Sequence, residues 1–297
     1  MKVGPECALC LFQRGYMEIA EATKDPEVRM EACRRLYHIL AENFHSSAVP
    51  SILGTMRERM IKKVTGNPDP FAERKLLSNT EAMKILPFAE KLVSTELTAE
   101  SRFRKACLCA IVGNILEFDI PGHSFEFDEL NSFIHKAEND LVIDDISEAF
   151  RIAQRSSLIL YLTDNAGEIV FDTLFVKELK NTGGCVVVAV KDEPAHNDAT
   201  MKDALFVGMD KVADSVITIG TDTMGLILNE CSEEFLNIYN SADLVVAKGM
   251  GYAETLTELN LKTPHLLLLR TKCMNVARYF QVEKEKNIAK LLVPKKT

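Results

Sequence analysis

The stretch SSLILYLTDNAGE, residues 156–168, decides the fold predicted for this chain. Its apolar run LILYL is typical of a buried strand, and the following IVFDTLFVKEL, residues 169–179, has the apolar spacing of a helix. Asp164 and Asn165 therefore stand at a turn that leads from a strand into a helix. An acid and an amide at such a turn either cap the helix or bind a ligand beyond the end of the strand.

The same alternation of strand and helix continues through the C-terminal half. Four further apolar runs lie at intervals of roughly 20–30 residues, namely CVVVAV at 185–190, SVITIG at 215–220, LVVAKG at 244–249 and HLLLLR at 265–270. Runs that are apolar throughout are typical of parallel strands that are covered on both faces. The pattern predicts an α/β fold with a doubly wound, mostly parallel sheet and helices on both faces.

The N-terminal half has a different pattern, which predicts helices. Apolar residues recur there at intervals of three and four, and Asp25-Pro26 and Ser78-Asn79 are typical helix starts. We therefore predict a helical domain over residues 1–155 and a Rossmann-like α/β domain over residues 156–297 that carries the functional site.

Composition and charge exclude several classes of protein. Of the 297 residues, 47 % are apolar and 26 % are charged, with a formal net charge of -8, which predicts a globular protein. The acidic balance argues against a nucleic-acid partner, because Lys and Arg supply most of the affinity for phosphate backbones. Gln13, Arg14 and Glu18 interrupt the apolar N-terminal segment, so neither a signal peptide nor a membrane partner is predicted. We expect a cytoplasmic protein with reduced thiols.

Polar residues that follow two of the apolar runs form a candidate metal site. Ligands of open α/β sheets bind beyond the carboxyl ends of the strands. Asp164 and Asn165 follow one run and Asp198 follows the next, so their side chains converge if these strands are neighbours. Two carboxylates and an amide oxygen suit a hard divalent cation such as Mg²⁺ or Mn²⁺. The alternative is that each residue only caps the helix that follows it.

Lysines and glycine at the later strand ends are candidates for binding an anionic substrate. In AKGMGYAE, residues 247–254, Gly249 lets the backbone approach an anion while Lys248 offsets its charge. The alternative is an ordinary turn from strand to helix. Lys272, which follows the last run, is either a further contact to the anion or a solvated charge.

A loop in the helical half adds two further candidates. GNILEFDIPGH, residues 113–123, places Asn114 and Asp119 near glycines. These residues either cover the crevice and contact substrate or belong to an ordinary loop between helices.

The N-terminal Cys7-Ala8-Leu9-Cys10 is a CxxC motif with two interpretations. Its spacing suits a thiolate metal site or a redox pair. A closed zinc site needs two more ligands, and a redox pair is expected after a strand, whereas this motif opens a predicted helix. Reduced thiols packed under the helices are the other interpretation.

Taken in order, these motifs resemble a known family. DNAGE after the first run, HNDAT after the second, KGMG after a later one, GN and FD at 113–119 and the early CxxC are together similar to protein-of-unknown-function family number 89, now described as damage-control phosphatases. The resemblance covers nearly the whole chain, and the CxxC is similar to that of the stand-alone microbial branch.

The resemblance implies a metal-dependent phosphatase that acts on small phosphorylated metabolites, such as sugar phosphates or damaged phosphorylated cofactors. It implies Mg, Mn, Co or Ni as the cofactor. The implied metal ligands are Asp164, Asn165 and Asp198; the implied catalytic residues are Asp164, Asp198 and Lys248, the last near the phosphate; Asn114, Asp119, Gly249 and Lys272 are the substrate-binding candidates. Many relatives have Asn where Tyr252 stands, which leaves the substrate contacts of that loop open.

Two other functions and two mechanisms stay open. The chain is alternatively a metal- or nucleotide-binding module without turnover, or a carboxyl methyltransferase that uses S-adenosylmethionine. A methyltransferase is expected to have a glycine-rich turn after its first strand, whereas TDNAGE has one glycine. For the phosphatase, either a water oriented by Asp164 or Asp198 attacks phosphorus, which we favour, or one of these carboxylates attacks directly.

Overall fold

The computed structural model describes residues 1–113 and 127–294 of the chain. Asn114 and Asp119 lie outside the described residues, so their predicted contacts with substrate stay predictions. The α-helices of the described part are α1 Glu6–Ala22, α2 Pro26–Asn43, α3 Pro50–Thr65, α4 Ala72–Ser94, α5 Ala99–Gly113, α6 Phe127–Asn139, α7 Ile146–Ala153, α8 Glu168–Lys180, α9 Met201–Phe206, α10 Met209–Val212, α11 Glu233–Ser241, α12 Gly249–Leu256 and α13 Met274–Phe280.

Seven strands form one sheet in the described part of the chain. They are β1 Leu141–Asp144, β2 Leu158–Leu162, β3 Cys185–Val190, β4 Ser215–Thr218, β5 Leu244–Lys248, β6 His265–Arg270 and β7 Asn287–Leu292. Their order across the sheet is β1-β7-β6-β5-β2-β3-β4. Strands β2 to β6 are parallel to one another, and β7 is antiparallel to β6. The predicted α/β fold and the five predicted strands are confirmed.

Strands β1 and β7 are not evident in the sequence. They occupy one side of the sheet, where β1 pairs with β7 in parallel. Residues of β1 alternate between half-buried and exposed, and β7 includes the half-buried Lys290. Neither segment therefore has the unbroken apolar run that identifies the central strands.

The topology creates a crevice at the centre of the sheet. From β2 the chain proceeds outward through β3 to β4, and it then returns to the other side of β2 to form β5 and β6. The direction of winding thus reverses between β2 and β5. In doubly wound sheets such a reversal leaves a crevice beyond the carboxyl ends of the two strands, where ligands bind.

Alternate residues of the central strands enter two separate cores. Ile159 and Tyr161 of β2 belong to the larger core, which helices α4 to α8 cover. Leu160 and Leu162 belong to the core on the other face, which α11, α12 and α13 cover. Helices therefore cover both faces, as predicted, and the N-terminal half supplies most of the cover on one of them.

Two predicted helix starts have different outcomes. Helix α2 begins at Pro26, where the side chain of Asp25 accepts hydrogen bonds from the amides of Glu27 and Val28, at 2.8 and 3.2 Å. Helix α4, however, begins at Ala72, so the predicted start at Ser78-Asn79 is wrong. Asn79 lies buried inside that helix, because its side chain bonds to other segments.

Within the described ranges, we find no helix with both the length and the apolar character that crossing a membrane requires.

Candidate active site

The loops after β2 and β3 are hydrogen-bonded to each other, which brings the predicted acidic residues together. The amide of Ala199 donates to the carbonyl of Asp164 at 2.7 Å, and the amide of Ala166 donates to the carbonyl of Asn197 at 2.9 Å. Asn165 and Asp198 form an antiparallel bridge between these contacts. Asp164, Asn165 and Asp198 therefore lie side by side at the carboxyl edge of the sheet.

Two glycines make this close arrangement possible. Gly167 has φ +79°, in the left-handed region, directly before α8 begins. Gly249 has φ +81°, and a Cβ atom there would lie 1.9 Å from Oδ2 of Asp164. The carboxylate of Asp164 thus occupies space that only glycine leaves empty. Gly249 is therefore adjacent to the acidic cluster at the point where β5 ends.

The site concentrates negative charge around Asp164. Burial, followed by the charges of Glu168 and Asp198, raises the pKa of Asp164 well above its usual value. Burial also raises the pKa of Asp198 to about 6, although Lys191 opposes the rise. Carboxylates that repel one another at short range are stabilised in their charged form by a cation. The donor set thus fits a divalent cation, the charge of which would offset this repulsion.

Asn165 bridges two of the carboxylates through its amide nitrogen. Its Nδ2 donates to Oδ2 of Asp164 at 2.8 Å and to Oε2 of Glu168 at 3.0 Å. To act as the predicted metal ligand, the side-chain amide must turn so that Oδ1 replaces Nδ2. No three His, Cys, Asp or Glu side chains in residues 1–113 and 127–294 are grouped so that they could hold a metal ion. The predicted ligand set of two carboxylates and an amide stays a prediction.

Lys248, the lysine predicted near the phosphate, is held by buried acidic residues. Its side chain is fully buried. Nζ donates to the carbonyl of Ala110 at 2.9 Å, to Oδ1 of Asp172 at 2.7 Å and to Oε1 of Glu168. Three acceptors use the three protons of the ammonium group. Lys248 therefore holds Glu168 and Asp172 in place beneath the acidic cluster. Its predicted contact with phosphate stays a prediction.

Lys191 is a second buried lysine, directly after β3, and it is not among the predicted site residues. Its Nζ lies 3.5 Å from Oδ2 of Asp198 and donates to the carbonyl of Thr223 at 2.7 Å. It also contacts the hydroxyl of Tyr252 at 3.3 Å. Tyr252 is thus buried against Lys191. The signal in the sequence is a lysine directly after an apolar strand. A lysine that is buried at such a position needs a charged partner.

Lys272 is an exposed lysine whose charge acts on the acidic cluster. It lies two residues after β6 ends at Arg270. Its positive charge opposes the rise in the pKa of Asp164, so it acts on the acidic cluster through space. An exposed cation beside the crevice has the chemistry to bind a phosphate oxygen.

Helix α3 and Phe71, the residue before α4, hold the loop that carries Asp198. The amide of His196 donates to Oε1 of Glu58, and Nζ of Lys62 donates to the carbonyl of Pro194 at 2.7 Å. The ring of His196 packs on Phe71 with centroids 4.3 Å apart. Burial lowers the pKa of His196 to about 4, so this ring is uncharged at neutral pH. The N-terminal half thereby fixes the position of the loop after β3.

The CxxC motif lies in the first turns of α1. Cys7 is buried and its Sγ accepts a hydrogen bond from the amide of Gly4 at 3.4 Å, whereas Cys10 is exposed. Burial raises the pKa of the Cys7 thiol. A neutral, buried thiol is a poor nucleophile and a poor metal ligand. A metal or redox role for the pair stays a prediction.

Together, the doubly wound sheet and the acidic crevice between β2 and β5 define a class, an α/β protein with a candidate cation site at its topological switch point. Comparisons with known proteins identify the family. The profile of the damage-control phosphatase ARMT1-like domain matches residues 3–288. The chain therefore belongs to this family, which confirms the resemblance of its motifs. Family membership supports a phosphatase role.

Individual relatives match over nearly their whole length. A damage-control phosphatase of Archaeoglobus fulgidus is 36% identical over 294 residues, which cover 98% of this chain and 100% of that protein. A damage-control phosphatase of Pyrococcus horikoshii is 34% identical over 286 residues, which cover 96% of each chain. The 2.04 Å crystal structure of a Pyrococcus horikoshii protein of family number 89 has a TM-score of 0.86 at 34% identity, over 97% of this chain and 98% of that chain.

Proposed function

We propose that this protein is a divalent-metal-dependent phosphatase that hydrolyses phosphate monoesters of small metabolites, such as sugar phosphates or damaged phosphorylated cofactors. The observation that carries the proposal is the convergence of Asp164, Asn165 and Asp198 at the switch point of the sheet. The raised pKa of Asp164, caused by burial and by neighbouring carboxylates, supports a cation at this position. Mg, Mn, Co and Ni are the candidate ions.

When bound, the cation supplies a Lewis acid that neutralises charge on the phosphate group. The residues of this chain bind and orient the reactants. Lys272 provides a positive charge for a phosphate oxygen, and Gly249 leaves the space that the carboxylate of Asp164 occupies. Lys191 and Lys248, which are buried below, keep Asp198 and Glu168 in fixed positions. Such positioning and charge stabilisation account for most of the catalysis of phosphoryl transfer.

A water molecule is the attacking group in the mechanism that we favour. Asp164 or Asp198 accepts a hydrogen bond from this water and orients its oxygen toward phosphorus. The new P–O bond forms as the ester P–O bond breaks, which releases inorganic phosphate and an alcohol that takes up the remaining proton. In water enriched in oxygen-18, both routes place the label in phosphate, because water attacks phosphorus in each of them. Trapping the enzyme during turnover separates them: direct attack by the carboxylate leaves phosphate bound to an aspartate, and attack by water leaves none.

Activity with p-nitrophenyl phosphate and a panel of sugar phosphates tests the proposal. We expect turnover that depends on an added divalent ion and that falls by at least about a hundredfold in Asp164→Ala and in Asp198→Ala, because each substitution removes a ligand. Asp243→Ala is the matched control. The side chain of Asp243 accepts hydrogen bonds from the amides of Ser157 and Leu158, at 2.7 and 3.0 Å, at the opposite edge of the sheet. Turnover that survives chelation and both site substitutions would exclude the proposal.

A further inference from the structure

Asn79 connects helix α4 to both loops of the acidic cluster. The residue is 1% exposed, and its side chain uses both of its polar atoms. Oδ1 accepts a hydrogen bond from the amide of Gly167 at 2.7 Å. Nδ2 donates to Oδ1 of Asp203 at 2.8 Å. One side chain thus bonds to a segment that follows β2 and to another that follows β3.

The two partners of Asn79 lie close to the candidate metal ligands along the chain. Gly167 is two residues after Asn165, at the strained turn into α8. Asp203 closes the first turn of α9, where its Oδ2 accepts hydrogen bonds from the amide and the hydroxyl of Thr200, at 2.9 and 2.7 Å. Thr200 is two residues after Asp198. The bonds of Asn79 therefore fix the backbone on both sides of the cluster.

The loops have one direct link and one indirect link. The direct link is the backbone bridge between Asn165 and Asp198. The indirect link passes from Gly167 through Asn79 to Asp203. The two backbone bonds of this bridge fix the distance between the loops but leave the loops free to twist about the bridge. The second link, through Asn79 of helix α4, lies at a different position and prevents this twist.

We propose that Asn79 is a positioning residue that sets the relative orientation of the Asp164–Asn165 loop and the Asp198 loop for cation binding. The inference rests on the proposed function, because it assumes that these loops hold a divalent ion. Hydrogen-bonding groups behind metal ligands typically change metal affinity by about 10–100-fold when they are removed. Asn79 acts less directly, because it bonds to Gly167 and Asp203, which in turn hold the two loops that carry the candidate ligands.

Reversal of the Asn79–Asp203 pair tests the proposal. In Asn79→Asp, one carboxylate oxygen still accepts from Gly167, but the other faces the carboxylate of Asp203, and we expect Mn²⁺ affinity to fall about tenfold or more. In the double variant Asn79→Asp with Asp203→Asn, the new amide donates to the new carboxylate, and its oxygen accepts from Thr200. All of the hydrogen bonds are then restored, and only the bond between residues 79 and 203 has its direction reversed. We therefore expect affinity within about threefold of wild type.

The main measurement is Mn²⁺ binding, by calorimetry and by the electron paramagnetic resonance signal of the free ion. Turnover of p-nitrophenyl phosphate is the second measurement. Tyr239→Phe is the control for a lost tertiary hydrogen bond, since the Tyr239 hydroxyl contacts Nε2 of His265 at 3.0 Å, at the amino end of β6. We expect this variant to bind Mn²⁺ like wild type. Asn79→Ala, which removes both bonds without adding charge, replaces Asn79→Asp if the latter does not fold.

The outcomes separate this inference from the proposed function. Weak binding by the single variants together with recovery in the double variant supports the inference. Wild-type affinity in Asn79→Asp or Asn79→Ala, or a double variant that remains as weak as the single one, overturns it while the proposed function stands. Wild-type protein that fails to bind Mn²⁺ and the other candidate ions overturns both.

Discussion

Gly249 shows how much of the site depends on the absence of a side chain. Two separate constraints act on this residue. Its φ is positive, and a Cβ atom there would lie 1.9 Å from Oδ2 of Asp164. The sequence predicts that this glycine lies beside a bound anion, because it follows a strand and a lysine. It does not predict that Asp164, 85 positions earlier, fills the space, because that contact depends on the pairing of β5 with β2.

We expect Gly249→Ala to reduce turnover of p-nitrophenyl phosphate at least about tenfold, because a 1 Å displacement of a catalytic group has effects of this size. The matched control is Gly66→Ala. Gly66 also has a positive φ, of +69°, but no atom lies within 4 Å of its notional Cβ. Each variant is expected to lose about 1–2 kcal/mol of stability from backbone strain. Equal turnover in the two variants would show that the contact with Asp164 is unimportant.

Residue roles are less predictable than residue positions. The sequence places Lys248 and Lys272 at strand ends, and both lie there. It does not show which lysine is buried, because that depends on acidic residues of another element. Glu168 and Asp172 are separated by one helical turn on α8 and together bind Lys248. The spacing of these two acids is the available signal, and it is evident only once β5 is known to adjoin β2.

At the scale of elements, Lys248 joins a strand to two helices. It ends β5, and its Nζ contacts the carbonyl of Ala110 in α5 and the acidic residues of α8. Tyr161 of β2 also donates to Oδ1 of Asp172 at 2.7 Å. The charges of Asp172 and Glu168 raise the pKa of Lys248 despite its burial. This ion-pair cluster fixes α5 and α8 against the sheet directly below the crevice.

We expect Lys248→Met to lower the free energy of unfolding by about 3–5 kcal/mol, because it leaves two buried carboxylates without their cation. Urea unfolding monitored by circular dichroism measures the loss. Lys272→Met serves as the comparison, since an exposed lysine is expected to contribute within about 0.5 kcal/mol. We expect this second variant to remain stable but to bind phosphate esters less tightly. A Lys248→Met protein as stable as Lys272→Met would contradict the structural role.

The elements themselves were largely predictable. The five central strands are apolar throughout because both of their faces are covered, and that pattern is visible in sequence. Asp25 caps α2 through local hydrogen bonds, which nearby residues determine. The start of α4 is not predictable in this way. Asn79 has the composition of a cap, but its partners Gly167 and Asp203 are remote in sequence, so tertiary contacts decide its role.

In the whole molecule, the helical half and the α/β half share a core, which their two sequence patterns do not predict. The predicted division at residue 155 stays a prediction. Helices α4 to α7, which precede it, cover one face of a sheet formed mostly by later residues. Phe103 of α5 packs edge-on against Phe175 of α8, with ring centroids 4.9 Å apart. A Cβ atom at Gly113 would lie 3.2 Å from the backbone of Glu168. The core and the candidate site thus both require the N-terminal half.

We therefore expect residues 156–297, produced alone, not to fold into a cooperative unit, because the apolar face under α4 to α7 would be exposed. The full chain is expected to unfold in a single thermal transition. Near-ultraviolet circular dichroism and size-exclusion chromatography test the fragment, and calorimetry tests the full chain. A monomeric fragment with its own cooperative transition would show instead that the division at residue 155 separates independent folding units.

The place of β7 has a consequence for biosynthesis. This strand, residues 287–292, lies between β1 and β6 and pairs with both. During translation β1 leaves the ribosome long before its neighbour, so it has no strand partner while some 140 further residues are added. The edge of β6 is likewise open until the last strand emerges. The nascent chain therefore carries unpaired strand edges while these residues are added, and unpaired edges are sites at which chains aggregate or chaperones bind.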